Sequence, residues 1–573
     1  MAEIASVKPP RLSNRKRIMQ NHNTRKMDYT SFLPRPGKAG FCNSGNPPKP
    51  ASVRPAPRLF PKIGVSVCLL ALAALPASAQ SWSYGVLTDT QGAGAYPDVS
   101  TRLMEPVVDR FINTHEVDMI LSVGDLTDRG SRPENDLWLD TAQPIYDAGI
   151  PIYLQRGNHD IKTETTTAVT DPNFGPVDVS DSTIWDDQIP VPANPNLVEG
   201  PGTSYYFTFN NLFVVSLDLY GVAPSNLIGW LQNTALPAAA ASVTDHRVLV
   251  QHAPYFGKAR DGVLQGEENG DPALELSLLQ GMAQVGIDTI YTGHDHQYSR
   301  SVALDPNGNV LLNHIVVGSN SEKYYRFEEP EGANEGQVVQ LNNRVSYSIV
   351  EVDGPKVVFS HYTSEAPDPQ TTDSWTPTWE LSDQLVFSAG GDRFFVEPED
   401  GDFSGLTSTS PNGTEASIAS GTNSEFNSRM TDPDPGTAPE LVQFGAVVDF
   451  SWEDGSANTV TMGDILVLDG LANDPVGEES ELYRLEMTYP EIPGVDESSL
   501  ALAVHDPESG KWMDARLANV VEDPASPAAL AESGVDTAEN MVWAELNHNA
   551  NGAEFAVVSN PASISSPVSL TRL

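Results

Sequence analysis

The segment Gly124-Asp125-Leu126-Thr127-Asp128-Arg129-Gly130 directly follows an apolar run at residues 119–123. A short apolar run that stops at polar residues is typical of a buried strand, and open parallel sheets bind ligands beyond the carboxyl ends of their strands. Four further apolar runs, at residues 84–87, 152–154, 248–250 and 287–291, stop in the same way. The metal-binding side chains that follow the five runs are those of Asp89, Asp125, Asn158, His252, His294 and His296. We therefore expect these side chains to meet at one edge of a sheet.

Between residue 82 and about residue 362, segments typical of strands alternate with segments typical of helices. Residues 103–111, 137–148 and 274–285 carry the helical pattern, and the pairs Asn210-Asn211 and Asp353-Gly354 predict hairpin turns. This alternation favours an α/β layered fold in which helices cover a largely parallel sheet.

The remainder of the chain has a different pattern. Residues 363–440 are rich in Ser, Thr, Asp, Pro and Gly apart from 384–395, which indicates a polar linker with a short structured patch. Residues 441–573 hold short β-type segments separated by turn residues, which predicts a β-sandwich. The expected fold class is therefore an α/β layered sandwich at residues 82–362, followed by a smaller all-β domain.

The first 79 residues have the features of a leader. Basic and proline-rich sequence precedes an apolar run at 63–75, and Ala77-Ser78-Ala79 follows it, so we expect a secretory signal cleaved near Ala79 and a secreted or periplasmic protein. The run is too short to span a membrane. About sixty residues before an apolar run is unusual for a signal. A mis-assigned upstream start codon is the preferred explanation, and a long leader is the alternative.

The chain is strongly acidic. Its 33 Lys and Arg residues face 77 Asp and Glu residues, and the leader holds 13 of the former and two of the latter, which leaves a mature net charge of −55. Such a charge disfavours binding to nucleic acid and anionic membranes, because both depend on Lys and Arg. A dispersed acidic surface usually serves solubility, and calcium binding by acidic loops is the alternative. Both cysteines, Cys42 and Cys68, lie in the leader, so the mature chain has neither a disulfide nor a sulfur ligand.

The residue types after the five apolar runs predict a two-metal site. Two cations about 3.5–4 Å apart share a bridging anion, and Asp125 is the natural bridging carboxylate. The other five side chains offer oxygen and neutral imidazole nitrogen, a mixture that suits Mn, Fe or Zn better than Ca.

The order of these motifs resembles the calcineurin-like metallophosphoesterase family, whose pattern is D-x-H, G-D, G-N-H-[DE], H and G-H-x-H. The resemblance covers roughly residues 82–362. It implies that Asp89, Asp125 and His296 bind one metal ion, and that Asp125, Asn158, His252 and His294 bind the other. Gln91 stands where the family has the histidine of the first motif. An amide oxygen is a poorer ligand than imidazole for Zn or Fe, so we expect a weaker first site.

The resemblance also implies a set of catalytic residues and a reaction. A metal-activated hydroxide would attack the phosphorus of a small phosphomonoester or phosphodiester, and His159 would protonate the leaving oxygen. Asp128 would orient His159, Arg129 would hold a phosphate oxygen, and Asp160 is grouped with these catalytic residues. The polar residues 161–200 follow a ligand-bearing strand end, and we expect them to cover the site and to select substrates.

A second interpretation is a non-catalytic extracellular module whose metal site is a relic and whose β domain binds an unknown partner. Gln91 favours it. His159, Asp160 and Arg129 argue against it, because a relic has no need of groups that serve only the transition state.

Overall fold

Two β-sheets packed face to face lie at the centre of the first half of the molecule. The structure is a computed structural model, and the residues that it describes are 81–93, 96–162, 169–171, 175–177, 185, 188–257, 272–325, 334–365, 375–396, 403–421, 441–455, 460–471, 482–491, 493–507, 509–519, 532–547, 552–559 and 561. The predicted leader lies outside these residues. Residues 74–573 form one compact unit.

Strands of the first half of the chain are β1 (Trp82–Leu87), β2 (Gln91–Ala93), β3 (Tyr96–Val99), β4 (Met119–Ser122), β5 (Ile152–Leu154), β6 (Val169–Asp171), β7 (Gly175–Val177), β8 (Val198–Glu199), β9 (Tyr205–Phe209), β10 (Leu212–Leu217), β11 (His246–Gln251), β12 (Thr289–Thr292), β13 (Tyr298–Leu304), β14 (Val310–Val317), β15 (Glu335–Leu341), β16 (Arg344–Asp353) and β17 (Lys356–Glu365). Strands of the second half are β18 (Glu380–Ser388), β19 (Asp392–Val396), β20 (Thr407–Thr409), β21 (Glu415–Ser420), β22 (Leu441–Gln443), β23 (Ala446–Glu453), β24 (Ile465–Asp469), β25 (Leu482–Thr488), β26 (Leu500–Asp506), β27 (Lys511–Asp514), β28 (Ser533–Asp536), β29 (Met541–Asn547) and β30 (Ala553–Ser559).

The helices of the described residues all lie in the first half of the chain, apart from two single turns. They are α1 (Thr101–Asp109), α2 (Arg132–Asp147), α3 (Pro224–Trp230), α4 (Leu236–Ala241) and α5 (Pro272–Gln284). A π-helical turn, Arg110–Thr114, extends α1, and a second one, Leu231–Ala235, joins α3 to α4. The single turns are the 3-10 segments Glu497–Ser499 and Ala515–Ala518. The helices predicted at 103–111, 137–148 and 274–285 are confirmed.

Sheet I has six strands in the order β18-β17-β16-β1-β4-β5, and sheet II has nine in the order β22-β15-β13-β14-β12-β11-β10-β9-β8. Only β1, β4 and β5 are parallel in sheet I, and only β10, β11, β12 and β14 in sheet II. The expectation of a largely parallel sheet is therefore wrong. Both sheets are mixed, because hairpins such as β16–β17 and β9–β10 extend each parallel centre with antiparallel strands.

The two sheets bury a shared apolar core, and helices cover their outer faces. Val86 and Leu121 of sheet I and Val250 of sheet II are at most 2% exposed in this core. Tyr153 of β5 stacks on Phe207 of β9 with ring centroids 3.8 Å apart, so the contact crosses between the sheets. Helices α1 and α2 pack on sheet I, and α3, α4 and α5 pack on sheet II. This arrangement of four layers is the predicted α/β layered sandwich.

The second half of the chain forms two antiparallel sheets. Their strand orders are β19-β23-β24-β30-β26-β27 and β20-β21-β25-β29-β28. Residues of both sheets, among them Phe450, Leu485 and Phe555, are fully buried in one core. The predicted all-β region with a sandwich-like core is confirmed.

The segment predicted as a polar linker, residues 363–440, is not structureless where it is described. It contains β18, β19, β20 and β21, and β17 extends into it as far as Glu365. Strand β18 pairs with β17 in sheet I, and β22 pairs with β15 in sheet II. Strands β18 and β19 overlap the structured patch predicted at 384–395, and β22 lies beyond the predicted linker, so the linker interpretation is wrong for β20, β21 and the end of β17. Short strands with exposed Ser, Thr and Asp positions have nearly the composition of a linker, so composition alone did not reveal them.

Candidate active site

The predicted ligands follow strand ends, as their sequence positions indicated. Strands β1, β4 and β5 of sheet I end at Leu87, Ser122 and Leu154, and β11 and β12 of sheet II end at Gln251 and Thr292. The polar segments that follow these five strands converge at the edge shared by the two sheets. Helix α2 begins directly after the loop at 124–130, where Ser131 N donates to Glu134 Oε2 at 2.9 Å and closes the first helical turn.

The backbone is strained at these strand ends. Asp89, Asp125, His294 and His296 all have a positive φ, between 50° and 73°. Residues other than glycine seldom adopt this conformation, which costs on the order of 1–3 kcal/mol at each position and is concentrated at functional sites. The strain turns four predicted ligands toward a common centre.

Two groups of potential metal-ligating atoms share one carboxylate. Ligand atoms of Asp125, His252 and His294 lie within 4.8 Å of one another, and so do those of Asp89, Asp125 and His296. Asp125 Oδ2 lies 3.2 Å from His252 Nε2, and Asp89 Oδ1 lies 3.4 Å from His296 Nε2. All five side chains are buried. The structure therefore brings together five of the seven predicted ligands, with Asp125 in the shared position.

Three of these side chains use one polar atom to fix their position. His252 Nδ1 donates to Val123 O at 2.7 Å, and Asp89 Oδ2 accepts from His294 N at 2.9 Å. Asp125 Oδ1 accepts from His159 N at 2.7 Å. The opposite atoms, Asp89 Oδ1, Asp125 Oδ2 and His252 Nε2, then face the cluster. Anchoring by the outer atom is what metal-ligating side chains need in order to keep their tautomer and orientation.

Asn158, another predicted ligand, lies in the loop that follows β5 and is half-buried. Its Oδ1 has no hydrogen-bond partner within the described part of the chain. The neighbouring Gly157 passes so close to Asp125 that a Cβ there would lie 2.2 Å from Asp125 Oδ1, so this position requires glycine. The unpartnered amide oxygen fits the predicted role of a metal ligand.

Gln91, the residue that departs from the family pattern, lies inside the cluster and is fully buried. Its Nε2 donates to Asp125 Oδ2 at 2.9 Å and lies 3.1 Å from His296 Nε2. Its Oε1 has no hydrogen-bond partner among the described residues. The amide thus occupies the predicted position beside the first metal site, with its nitrogen toward the ligand atoms. Only a half-turn of the amide would bring the oxygen to that side.

The charges of the cluster fit bound cations. Burial raises the pKa of Asp89 to about 7, an effect that His252 opposes and Asp125 strengthens. Burial also favours protonation of Asp125, but His252 and His159 hold the pKa of Asp125 well below its usual range. Carboxylates packed this closely repel each other in a medium of low polarity. Two divalent cations would relieve this repulsion, and the oxygen and nitrogen donors suit Mn, Fe or Zn.

His159 lies at the edge of the ligand cluster. Its Nδ1 is 2.9 Å from Asp128 O and 2.9 Å from Asp128 Oδ1, so this nitrogen donates to Asp128. Its Nε2 lies 3.9 Å from Asp125 Oδ2. Arg129 Nε is 3.4 Å from Asp128 Oδ2, and the Arg129 side chain is 23% exposed. The pairing of Asp128 with His159 that the resemblance implied is present, and Arg129 lies beside that pair.

The Asp160 carboxylate binds backbone N–H groups of two neighbouring loops. Its carboxylate accepts backbone hydrogen bonds from Gly157 N at 2.8 Å, Thr127 N at 3.1 Å and Leu126 N at 3.3 Å. Burial raises the pKa of Asp160 to about 7, and the charge of Asp125 adds to the rise. Since both oxygens bind loop groups, Asp160 is a positioning residue that fastens the Asp125 loop to the Asn158 loop. Its grouping with the catalytic residues is corrected in this respect.

Several residues near the cluster were not predicted from the sequence. Lys162 Nζ lies 3.1 Å from His159 Nε2 and 3.4 Å from Asp128 Oδ1. Ser319 Oγ and Ser321 Oγ lie 3.2 and 3.3 Å from His296 Nδ1 and fix this ring from outside. The ring of Tyr325 packs against His296 with centroids 5.3 Å apart. The only sequence signal was the position of the segment 319–325 directly after β14, a further strand that ends at this edge. Of the predicted cover at 161–200, residues 163–168, 172–174, 178–184 and 186–187 lie outside the described residues, and its role stays a prediction.

Comparison with known proteins agrees with this geometry. Residues 83–298 match the family model of the calcineurin-like phosphoesterases. No curated protein matches the sequence. Among solved structures, GAP50, the anchor in the inner membrane complex of Plasmodium, has a TM-score of 0.35 at 14% identity over 54% of this chain and 89% of that chain. A purple acid phosphatase from yellow lupin (Lupinus luteus) seeds has a TM-score of 0.38 at 14% identity over 55% of each chain. A 5'-nucleotidase precursor from Thermus thermophilus has a TM-score of 0.24 at 12% identity over 54% of each chain.

The fold and the site thus define a layered α/β protein with a buried Asp and His cluster at the carboxyl ends of its strands. Residues 83–298 are similar in sequence to the calcineurin-like phosphoesterase family. This family typically binds a dinuclear metal centre, and the two Asp and His groups that share Asp125 are the candidate ligands. Among the described residues, no helix is both long enough and apolar enough to cross a membrane.

Proposed function

We propose that this protein is an exported, metal-dependent phosphohydrolase that cleaves phosphomonoesters or phosphodiesters. The observation that carries the proposal is the pair of ligand groups sharing Asp125, with His159 beside them. The export part rests on the leader sequence alone, with its apolar run at 63–75 and Ala77-Ser78-Ala79.

Different residues of the chain would bind the metal ions, transfer a proton and bind the phosphate. Asp89, Asp125 and His296 would hold one ion, and Asp125, Asn158, His252 and His294 the other. Two bound ions supply water activation and charge neutralisation at phosphorus. His159 uses Nδ1 to bind Asp128, which leaves Nε2 to deliver a proton to the departing oxygen. The Arg129 guanidinium is exposed enough to bind a phosphate oxygen.

The test is hydrolysis of p-nitrophenyl phosphate and bis-p-nitrophenyl phosphate by purified protein, with and without Mn²⁺. We expect manganese-dependent turnover of at least one ester, and its loss in Asp125→Asn. Asp305→Asn is the matched control, because Asp305 is partly exposed, lies in a turn away from the cluster, and accepts hydrogen bonds from Asn307 and Asn309 of that turn. A protein that binds manganese and releases no nitrophenol from either ester would contradict the proposal.

A second candidate is a non-catalytic metal-binding module, and one observation favours it. Gln91 Nε2 donates to Asp125 Oδ2 and faces His296, so an amide nitrogen lies where a ligand is expected. Under this alternative the protein binds metal without turning over either ester. The partner of the β domain would then carry the function.

A further inference from the structure

The residues around the candidate site include three cations in a chain that has few of them. Apart from the predicted leader, 20 basic residues face 75 acidic ones. Arg129, Lys162 and Lys323 nevertheless all lie beside the ligand cluster. Since random placement in so acidic a chain would surround the site with carboxylates, this grouping indicates a site that receives an anion.

Lys162 is held next to the proposed proton donor. A backbone hydrogen bond from Lys162 N to His159 O, 3.2 Å long, fixes the turn that carries it. Its Nζ is 3.1 Å from His159 Nε2, and its side chain is 39% exposed. The ammonium is closer still to His159 Nδ1, at 2.5 Å, so it lies against the edge of the ring that carries both nitrogens and is partly accessible to solvent.

Lys323 lies on the other side of the cluster, near the predicted ligand His296. Its Nζ lies 5.3 Å from the centre of the Tyr325 ring, and Tyr325 packs edge-on against His296. The carboxylate next to it in sequence, Glu322, is turned away and binds Ser100 Oγ at 2.8 Å and Arg102. Among the described residues Lys323 makes no salt bridge. Its charge, added to burial, lowers the pKa of His296, so the two groups interact electrostatically.

The carboxylate nearest to these cations is that of Asp128. Burial favours protonation of Asp128, but the hydrogen bond to His159 and the charges of Lys162 and Arg129 hold the pKa of Asp128 below its usual range. Asp128 thus lies near both Arg129 and Lys162, and Lys323 stands apart from it. The carboxylates of Asp89 and Asp125 would be compensated by the metal ions, which leaves these cations at the rim of the site available to interact with a bound anion.

We propose that Lys162 and Lys323 bind the non-bridging oxygens of the substrate, and that they make the site prefer phosphomonoesters over phosphodiesters. A phosphomonoester carries close to two negative charges at neutral pH, whereas a diester carries one. Each additional cation near the phosphate therefore favours the monoester. This inference rests on the proposed function, because it assigns the substrate class of that same site.

The test compares Lys162→Met and Lys323→Met with the unmodified, manganese-loaded protein. Lys356→Met is the matched control, because Lys356 lies at the start of β17 and its ammonium is 3.7 Å from Glu554 Oε1. We expect KM for p-nitrophenyl phosphate to rise about tenfold in each rim variant and KM for bis-p-nitrophenyl phosphate to change less than about twofold. The dissociation constant of inorganic phosphate, measured by calorimetry, should rise about tenfold as well. Lys162→Arg should restore most of the preference.

Other outcomes would overturn the inference. An equal loss with both esters, together with a shifted pH profile of kcat, would mean that Lys162 acts only through His159. An unchanged ratio of the two kcat/KM values would remove the role of both lysines. If the unmodified protein turned over neither ester, the proposed function would fail. The phosphate-binding measurement would still test whether Lys162 and Lys323 bind an anion. Binding that weakens in the rim variants would support the anion site, and binding that does not change would refute it.

Discussion

The cluster around Asp125 and the contact between Arg300 and Asp383 both bury charge, but they differ in which atoms have partners. Arg300 Nε and Nη2 donate to the two oxygens of Asp383 at 2.7 and 2.9 Å, and Tyr298 OH donates to Asp383 Oδ2 at 2.5 Å. This contact joins β13 of sheet II to β18 of sheet I. In the Asp125 cluster, by contrast, Asp89 Oδ1 and Asn158 Oδ1 have no hydrogen-bond partner among the described residues.

The difference separates structural from functional burial of charge. A buried polar atom without a partner costs about 1–3 kcal/mol, so a fold retains several of them together only where something else supplies the missing contacts. The Arg300 and Asp383 pair is complete within the protein and stabilises the contact between the sheets. The Asp125 cluster would be completed by the cations of the proposed metal site.

The largest effect is expected from Asp125→Asn, which removes the charge shared by both ligand groups. We expect kcat/KM to fall by at least about a thousandfold and the metal content to drop, because an amide cannot bridge two cations. The melting temperature of the metal-free protein should fall only modestly, because the variant loses the attraction of His252 and His159 for the carboxylate but also the repulsion between Asp125 and Asp89. Kinetics, elemental analysis and thermal unfolding of metal-free samples measure the three effects. Severe unfolding would place Asp125 with the structural pair.

Arg300→Met is expected to act on stability and to leave the chemistry intact. It leaves Asp383 buried without its partner, which should lower the free energy of unfolding by about 3–5 kcal/mol. Metal content per folded molecule should stay the same. Urea denaturation measures the loss, and the double variant Arg300→Met with Asp383→Leu should regain most of it. A variant as stable as the unmodified protein would show that this pair contributes nothing.

Asp449 of β23 tests the comparison from a third position, since its Oδ2 is buried without a partner among the described residues but lies outside the candidate metal site. Burial raises the pKa of Asp449 to about 7; Arg393 opposes the shift, and Asp469 and Asp392 add to it. The folded state therefore holds a proton that the unfolded state releases near its usual pKa of 3.8. Stability should decrease as pH rises from about 4 to about 7, by at most about 4 kcal/mol. Here a proton would do what the proposed metal ion does at Asp89, which is to neutralise a buried carboxylate.

Asp449→Asn should remove that pH dependence, because the amide stays neutral throughout. Urea midpoints at pH 5 and pH 8 measure it, with Asp305→Asn as the control. Identical pH dependence of the variant and the unmodified protein would contradict the assignment.

Gln91→His should give the smallest of these effects. An imidazole nitrogen beside Asp125 and His296 would replace the amide nitrogen, and Zn²⁺ or Mn²⁺ affinity at the first site should rise about tenfold. Competition titration against a chelator measures this affinity, and Gln143→His on the exposed face of α2 is the control. Equal affinity in the variant and the unmodified protein would reject the role of Gln91.

Local sequence was sufficient to predict most of the site. Asp125, His252 and His294 follow apolar runs, and a strand that ends at a ligand is visible without knowledge of its neighbours. Lys162 and Lys323 are far apart in the sequence and carry no such pattern, so only folding places them beside one cluster. The role of Asp160 was also inaccessible, because it depends on which backbone groups the neighbouring loop turns toward the carboxylate.

The strand orders also show that local sequence does not predict contacts between distant parts of the chain. The hairpin β16–β17 was predicted from its turn, since both strands are adjacent in the chain. Pairing of β22 with β15 joins residues about a hundred positions apart, and a three-residue strand has too few side chains to signal its neighbour. The sequence therefore placed residues 441–443 in the C-terminal β domain, although the backbone adds them to sheet II.

Strand β22 has a consequence for any attempt to prepare the phosphoesterase domain by itself. It covers the outer edge of β15, so a chain cut before residue 441 would present the open N–H and C=O groups of β15 to solvent. Uncovered sheet edges recruit strands from other molecules and cause aggregation. Expression of the shortened protein should thus yield insoluble material unless it retains at least residues 441–443, or a proline or lysine is introduced on β15 to block intermolecular pairing.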